Sequence, residues 1–334
     1  MKPVYVPHYY TEFRCIASAC RHSCCVGWEI DVDEEALARY DAVGGELGRR
    51  LRESIDREAS PPCFKLTEGE RCPFLNRNGL CDLITELGED SLCHICADHP
   101  RFRNILPDRV ELGLGLCCEA AARLILEQTE PFSLVELSPD KALLERFSHD
   151  DPEEPDPMAD SLLSLRERLL SLVQDRTLPL SDRIRHLYTV LDIDLSWMTA
   201  GGDGAMADFG RIAALLRDME RLDPAWDTCL DALESLPENP LAELEGEDSI
   251  AFEQLLCYFL YRYMAVEDDG RPDAEQVRPA FAVLCTIIIH AVHRAMGGEE
   301  PDSLWEIARL FSSEIEYSEE NRDSLMDEIG NALL

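Results

Sequence analysis

Apolar residues recur at helical spacing through most of the chain beyond residue 157. The spacing predicts helices over 158–174, 181–198, 206–221, 225–236, 249–266, 274–296, 302–316 and 319–333, divided by breakers such as Gly201–Gly202, Pro240 and Gly297–Gly298. Ser303 and Glu306 stand in the register of a capping box. The earlier part reads differently. Residues 1–32 are irregular or extended, and "DVDEEALARYDAV" then predicts a helix with Asp31 or Asp33 as N-cap and Ala36, Leu37 and Tyr40 on one face. Gly44–Gly45 breaks it before Leu47, Leu51 and Ile55 resume the pattern at i, i+4, i+8. "CFKLTEGERCPFLNRNGLC" reads as short extended pieces with a tight turn at Asn78–Gly79. "CDLITELG" predicts a short helix stopped by Gly88, and "EDSLCHICADHPRF" another that ends near Pro100. "DRVELGLGL" alternates as a strand does, and "CCEAAARLILEQ" predicts a helix. The expected fold is mainly α: a cysteine-rich metal-cluster module with a few short strands, followed by an all-helical domain.

"SHDDPEEPDPMAD", residues 148–160, combines acid with three prolines and marks a linker. It divides the chain into a module at 1–147 and a helical domain at 161–334. Charge follows a similar division. Residues 1–130 carry a net −8 and residues 131–334 a net −28, for −36 in all. Such a field repels phosphate backbones, which argues against a nucleic-acid partner, and attracts a basic protein segment; its plain alternative is solubility. Only three lysines stand against 28 arginines. The longest apolar run, Phe281–Val292, is too short to span a bilayer and carries His290, so a buried helix is expected and no membrane partner. The N-terminus shows no basic stretch followed by an apolar one, so a soluble, cytoplasmic protein is expected.

Eleven of the 14 cysteines lie in the first 118 residues. Cys229, Cys257 and Cys285 sit singly in apolar stretches and read as buried core. A reducing cytosol disfavours a disulfide framework for the rest, and an adjacent pair such as Cys24–Cys25 bridges only with strain. Cys93-His-Ile-Cys96 is one CxxC; with the dense group Cys15–Cys25 and with Cys72 and Cys81, the pattern points to metal. Soft thiolates suit an iron–sulfur cluster, and zinc is the rival. A vicinal pair can send its two sulfurs to different metals. Neither the C-x3-C-x2-C spacing nor a ferredoxin spacing occurs.

The order of these motifs resembles the bacterial flagellin lysine-N-methylases, part of a wider cysteine-cluster group with a C-x(3,4)-C-x3-C-C signature. Here the signature is Cys15-x4-Cys20-x3-Cys24-Cys25, followed by "VGWEIDVD". The second block, "CPFLNRNGLCDLITELGEDSLCHICADHPRF", is also similar, as is "CCEAAARLIL", where Cys118 matches the family cysteine and Cys117 stands in place of a serine. Weaker likenesses are "CYFLYRYM" and "SSEIEYSEENRDSL". The resemblance implies methyl transfer from S-adenosylmethionine to lysines of flagellin. It also implies an iron–sulfur cluster, of 4Fe-4S type, on Cys15, Cys20, Cys24, Cys25, Cys72, Cys81, Cys93, Cys96 and Cys118. Nine thiols exceed the four of one cubane cluster, so either more than one metal site is present or some thiols only support the ligands. Cys63 fits no motif and reads as structural.

Lysine methylation needs a neutral amine and a place for a sulfonium, and aromatic faces suit both cations. The catalytic candidates are therefore in "YFLYRYM", with Tyr258, Tyr261, Arg262 and Tyr263, and in "SSEIEYSEEN", with Glu314 and Glu316; Tyr258, Tyr261 and Glu314 are put first. Tyr258 and Tyr261 share a helix face, whereas Glu314 and Glu316 diverge on a helix. The plain reading makes the tyrosines core residues and the acids a charged face. Arg101 in "HPRF" is the cofactor-binding candidate, for a cluster's charge or a carboxylate, with a simple salt bridge as its alternative. His22, His94 and His99 read as supporting residues. No G-x-G-x-x-G loop is present, so a Rossmann-type site for S-adenosylmethionine is not expected. The rival function is a metal- or cluster-binding protein, iron or zinc, without methyl transfer; a zinc-stabilised interaction protein is a third. The oligomeric state is not legible.

Overall fold

The computed structural model describes residues 2–138, 157–194, 209–236, 249–265, 271, 273–297 and 303–333. Most of the linker at 148–160 lies outside these residues; its last four residues open a helix. The chain divides into two compact units. One comprises Arg14–Phe102 and Cys118–Ala120; the other comprises Met1–Phe13, Arg103–Cys117 and Ala121–Leu334. Residues 1–13, 103–117 and 121–138, which the sequence groups with the cysteine-rich module, thus fold with the helices. The reason lies in strand pairing: β1 (Val4–Pro7) runs parallel to β5 (Val110–Leu114) and antiparallel to β6 (Leu134–Leu137).

The cysteine-bearing unit is built on α1 (Glu34–Ala42) and α2 (Gly45–Ser54). Asp33 caps α1 by accepting from Ala36 N at 2.8 Å, and its second oxygen accepts from His94 N at 2.7 Å. A two-residue hairpin follows, β2 (Ile55–Asp56) on β3 (Cys63–Phe64), then α3 (Asp82–Leu87) and α4 (His94–Asp98). Gly79 at φ +71° makes the expected Asn78–Gly79 turn. The apolar faces of α1 and α2 meet Phe64, Phe74 and Leu83 in one buried cluster, with the Phe64 and Phe74 rings 5.2 Å apart edge to face. The helix expected from Glu89 to near Pro100 is not continuous. A 3-10 turn at Glu89–Ser91 precedes α4, and the chain then extends as β4 (Arg101–Ile105).

The second unit holds most of the four-stranded sheet, ordered β4-β5-β1-β6, together with most of α5 (Glu119–Leu126); the first two residues of β4 and of α5 belong to the other unit. Its helices are α6 (Pro157–Val173), α7 (Leu180–Leu191), α8 (Phe209–Asp218), α9 (Ala225–Glu234), α10 (Ser249–Tyr263), α11 (Ala274–Ala295), α12 (Leu304–Phe311) and α13 (Glu319–Leu333). They fall within or near the predicted segments, and the mainly α reading holds. The helix expected over 181–198 stops at Leu191, where Asp192 turns left-handed at φ +54°, and residues 195–198 and 206–208 of the predicted segments lie outside the described residues. Helix α10 is buried on every face from Phe252 to Tyr261. The run is apolar from Leu255 onward; of the buried polar residues before it, Glu253 pairs with Arg176 and Arg183, and the Gln254 amide donates to Glu130 O. Helix α11 has 22 residues and is long and apolar enough to cross a membrane, which corrects the shorter span read from Phe281–Val292. It is instead a core helix, with 94% of its apolar window buried. The capping box at Ser303 does not form: Ser303 is the N-cap of α12, but its hydroxyl makes no hydrogen bond. One buried ion pair ties sheet to helix, and a buried carboxylate joins two helices. Arg166 on α6 meets the Glu111 carboxylate of β5 through two hydrogen bonds of 2.7 Å, and Glu253 lies between Arg176 and Arg183.

Candidate functional site

All nine cysteines singled out from the sequence fall within the first unit, together with Cys63. None of the 14 cysteines is in a disulfide. A loop from Arg71 to Cys81 hooks back on the vicinal pair: Cys72 N donates to Cys25 O at 2.8 Å, Val26 bridges Arg71, and Leu75 bridges Cys81. Cys93 occupies the N-cap position of α4, with Cys96 in its first turn. Cys72 and Cys93 are part of the buried apolar cluster, and Cys25, Cys81 and Cys96 pack against it.

The thiols gather as donor–acceptor pairs. A hydrogen bond from the Cys24 thiol, with help from Ser23 and the Arg71 charge, pulls Cys25 towards the thiolate, and Cys24 is correspondingly pushed up. A hydrogen bond from Cys96 lowers Cys93 against the cost of burial, and Cys96 rises. Burial pushes Cys72 up to about 12 and Cys20 up to about 11. Among the described residues no three His, Cys, Asp or Glu side chains stand in a ligating arrangement. The donor chemistry nonetheless fits a thiophilic group: soft sulfurs in apolar surroundings, each pair able to keep one thiolate. A second fitting feature is His99. Its Nε2 is buried without a hydrogen-bond partner, and burial, then the Arg101 charge, lowers its pKa to about 4, so the ring is neutral. It lies 6.2 Å from Trp28, whose indole donates to Cys24 O. His94 is exposed beside Glu35, at 3.6 Å.

The second unit contains a different constellation. After α12 the chain widens into a π-helical turn, Ser312–Glu316, closed by Tyr317 N to Ser312 O at 3.2 Å. Such turns recur at functional sites. This one aims Glu314 and Glu316 at different partners. Glu314 accepts from the backbone N–H groups of Leu222 and Asp223, and burial raises its pKa. Glu316 accepts from Tyr258 Oη at 2.9 Å and from Tyr263 Oη at 2.9 Å, with Arg262 Nη1 at 3.2 Å. The Arg262 guanidinium also donates to Tyr258 Oη at 2.7 Å, and it lies over the rings of Tyr263 and Tyr317. Burial holds the Tyr258 and Tyr263 hydroxyls far above their ordinary pKa, so both stay protonated donors. Glu316 and Tyr258 are buried, Arg262 and Tyr263 half-buried, and Tyr317 is 45% exposed. Cys117, hydrogen-bonded to Tyr317, belongs to the same group.

The catalytic candidates Tyr258, Tyr261 and Glu314 are therefore not brought together. Tyr261 donates its hydroxyl to Leu112 O at 3.0 Å, latching α10 to the sheet, and Glu314 fixes the loop before α9. Glu316 and Tyr263 stand with Tyr258 instead. Tyr258 and Tyr263 are five positions apart, which is not a same-face spacing, and a π-turn leaves no mark in a periodicity read at 3.6.

Curated proteins with similar sequences include two named Lysine-N-methylase, from Salmonella typhimurium and Salmonella choleraesuis. Each is 30% identical over 136 residues, 39% of this chain and 34% of the relative. A third, the flagellar biosynthetic protein FliU of Salmonella muenchen, is 29% identical over 136 residues and 80% of its own length. No family model and no solved structure matches. The chain spans about a third of the length of the lysine-N-methylases it matches. The resemblance read from the cysteine motifs is thus met by proteins of that name, as a similarity over 39% of the chain.

Proposed function

We propose that this chain is a protein lysine N-methyltransferase that takes its methyl group from S-adenosylmethionine, carries an iron–sulfur cluster on its cysteine unit, and acts on flagellin lysines in the cytoplasm. The similarity to proteins named Lysine-N-methylase and FliU supports the reaction and the acceptor. The observation that carries the chemistry is the Glu316 carboxylate, buried beneath two tyrosine hydroxyls and an arginine whose neighbouring rings already hold a cation. A lysine ammonium, with a pKa near roughly 10.4, must lose a proton before it attacks. Glu316 is the acceptor, and the Tyr263 hydroxyl, on the half-buried side, passes the proton inward. The exposed face of Tyr317 receives the cation. When bound, S-adenosylmethionine supplies a sulfonium whose C–S bond breaks as the amine lone pair forms the new N–C bond. The cysteines Cys25, Cys72, Cys81, Cys93 and Cys96 hold the cluster in apolar surroundings. Arg101, whose charge acts on His99, remains the candidate for balancing an anionic group there.

The test is methyl transfer from isotopically labelled S-adenosylmethionine to flagellin, using the full chain purified without oxygen. Glu316→Gln is expected to lose on the order of 10²-fold or more in rate, within the range of general acid–base catalysis. Tyr263→Phe is expected to lower the rate with its unfolding midpoint little changed. Full activity in both variants would remove Glu316 from the chemistry. Iron and acid-labile sulfide without any transfer would favour the second reading, a metal- or cluster-binding protein, which the concentration of ten cysteines in one unit also supports. Zinc without sulfide would favour a zinc-stabilised scaffold.

A further inference from the structure

The Glu316 side chain has no exposed surface, so a substrate amine meets the carboxylate only through a neighbouring group. Among the described residues its polar partners are the Arg262 guanidinium and the hydroxyls of Tyr258 and Tyr263. A guanidinium only donates, so it cannot hold an N–H. A phenol oxygen donates one hydrogen bond and accepts at most two. Tyr258 has used this capacity. It donates to Glu316 at 2.9 Å, and it accepts from Arg262 Nη1 at 2.7 Å and from Leu116 N at 3.3 Å. Tyr263 differs. Its hydroxyl donates to Glu316 at 2.9 Å, which commits its proton, and its oxygen accepts no hydrogen bond from the described residues. Tyr263 is also half-buried where Tyr258 is fully buried. Of the two hydroxyls on Glu316, only Tyr263 Oη can therefore still accept. What it takes is a donor: with its own proton engaged, it offers nothing to a carboxylate or a phosphate.

We infer that Tyr263 limits how many methyl groups the site adds, by requiring an N–H on the acceptor nitrogen, so that transfer goes no further than dimethyllysine. This rests on the methyltransferase reading. An ammonium N–H donates to Tyr263 Oη and gives it the proton, while the phenol hands its own proton to Glu316. The neutral nitrogen then turns about its bond to the lysine chain, because its lone pair must face the methyl group it attacks. One of its other substituents is left facing Tyr263 Oη. In lysine that substituent is a hydrogen, and in monomethyllysine one hydrogen remains to take the place. Neutral dimethyllysine has no N–H. A methyl group would then stand against an oxygen that holds only donors, and Oη would be left unpaired. The third transfer thus loses a hydrogen bond that the first two keep. Aromatic faces alone draw no such line, since a trimethylammonium suits them well.

Two readouts on the full chain test this. In the first, flagellin is methylated to completion with S-adenosylmethionine and its lysines are read by mass spectrometry. Wild type is expected to leave no trimethyllysine. Tyr263→Phe keeps the ring and removes the acceptor oxygen. It is expected to transfer more slowly, yet its rate on a dimethyllysine peptide relative to a lysine peptide should rise about 10-fold or more. In the second, one-lysine peptides bearing zero to three methyl groups are titrated against the protein without S-adenosylmethionine. Each ammonium up to dimethyl keeps an N–H, so affinity is expected to hold through dimethyllysine and to fall about 10-fold at trimethyllysine. Tyr263→Phe should abolish that fall. Trimethyllysine formed as readily as monomethyllysine overturns the inference and leaves the methyltransferase reading standing. So does an acceptor ratio that Tyr263→Phe does not change, or equal affinity of wild type for all four peptides. No transfer to flagellin overturns the methyltransferase reading and the inference with it. Should Tyr263→Phe fail to fold, the wild-type product set and the wild-type break in affinity decide alone.

Discussion

Glu314 and Glu316, two residues apart and both buried, have separate roles. Glu314 accepts two backbone N–H groups and holds a loop, while Glu316 accepts two phenols and faces a guanidinium. At this scale, buried charge matters only with its partners. Arg166 and Glu111 are fully buried and doubly hydrogen-bonded. Arg166→Met removes two hydrogen bonds from a carboxylate that Arg109 still holds at 2.9 Å, so it is expected to cost less than the roughly 3–5 kcal/mol of a fully stranded buried charge, measured by chemical denaturation. His99 gives a pH signature. Its folded pKa of about 4 lies below the ordinary 6.5, so between those values the unfolded chain binds more protons. Its contribution is full above pH 6.5 and is lost as pH falls towards 4. His99→Phe is expected to flatten the acid-side decline across that window, measured as denaturation midpoints against the wild type.

Among the elements, α1 shows how a local signal becomes a tertiary one. Asp33 caps α1 with one oxygen and holds the start of α4 with the other, through His94 N. Residues 33 and 94 are thereby joined next to Cys93. Asp33→Ala is expected to cost about 1–2 kcal/mol in thermal unfolding, at the upper end for a cap because a second N–H loses its partner. The same substitution should also weaken metal retention, since it frees the N-terminus of α4. An undiminished midpoint would show that the cap contributes nothing. Other elements obeyed their sequence signals in part. α10 and α11 form where the apolar spacing places them, but α12 runs on into a π-turn, and the segment 89–102 divides into a turn, a five-residue helix and a strand.

For the whole molecule, the net charge of −36 is the dominant long-range property. A basic acceptor segment would be drawn to it, and salt would screen the attraction over a Debye length of about 8–10 Å. The KM for a protein acceptor is therefore expected to rise with ionic strength while kcat changes little; a KM indifferent to salt would show that the acidity serves solubility alone. The helical content, most helix positions, the capping role of Asp33, and the thiol-rich character of the N-terminal region were legible in the sequence. Each depends on residues near one another along the chain, where spacing and side-chain chemistry act directly. Three things were decided only by tertiary structure. Strand pairing moved residues 1–13 and 103–117 out of the cysteine-bearing unit, because a strand is stable only beside its partners. Packing placed Cys72 and Cys93 inside an apolar cluster and left Cys15 and Cys24 exposed. The π-turn brought Glu316, rather than Glu314, to Tyr258 and Tyr263. In each case the partners are distant in sequence, and no local pattern records which distant group a side chain will meet.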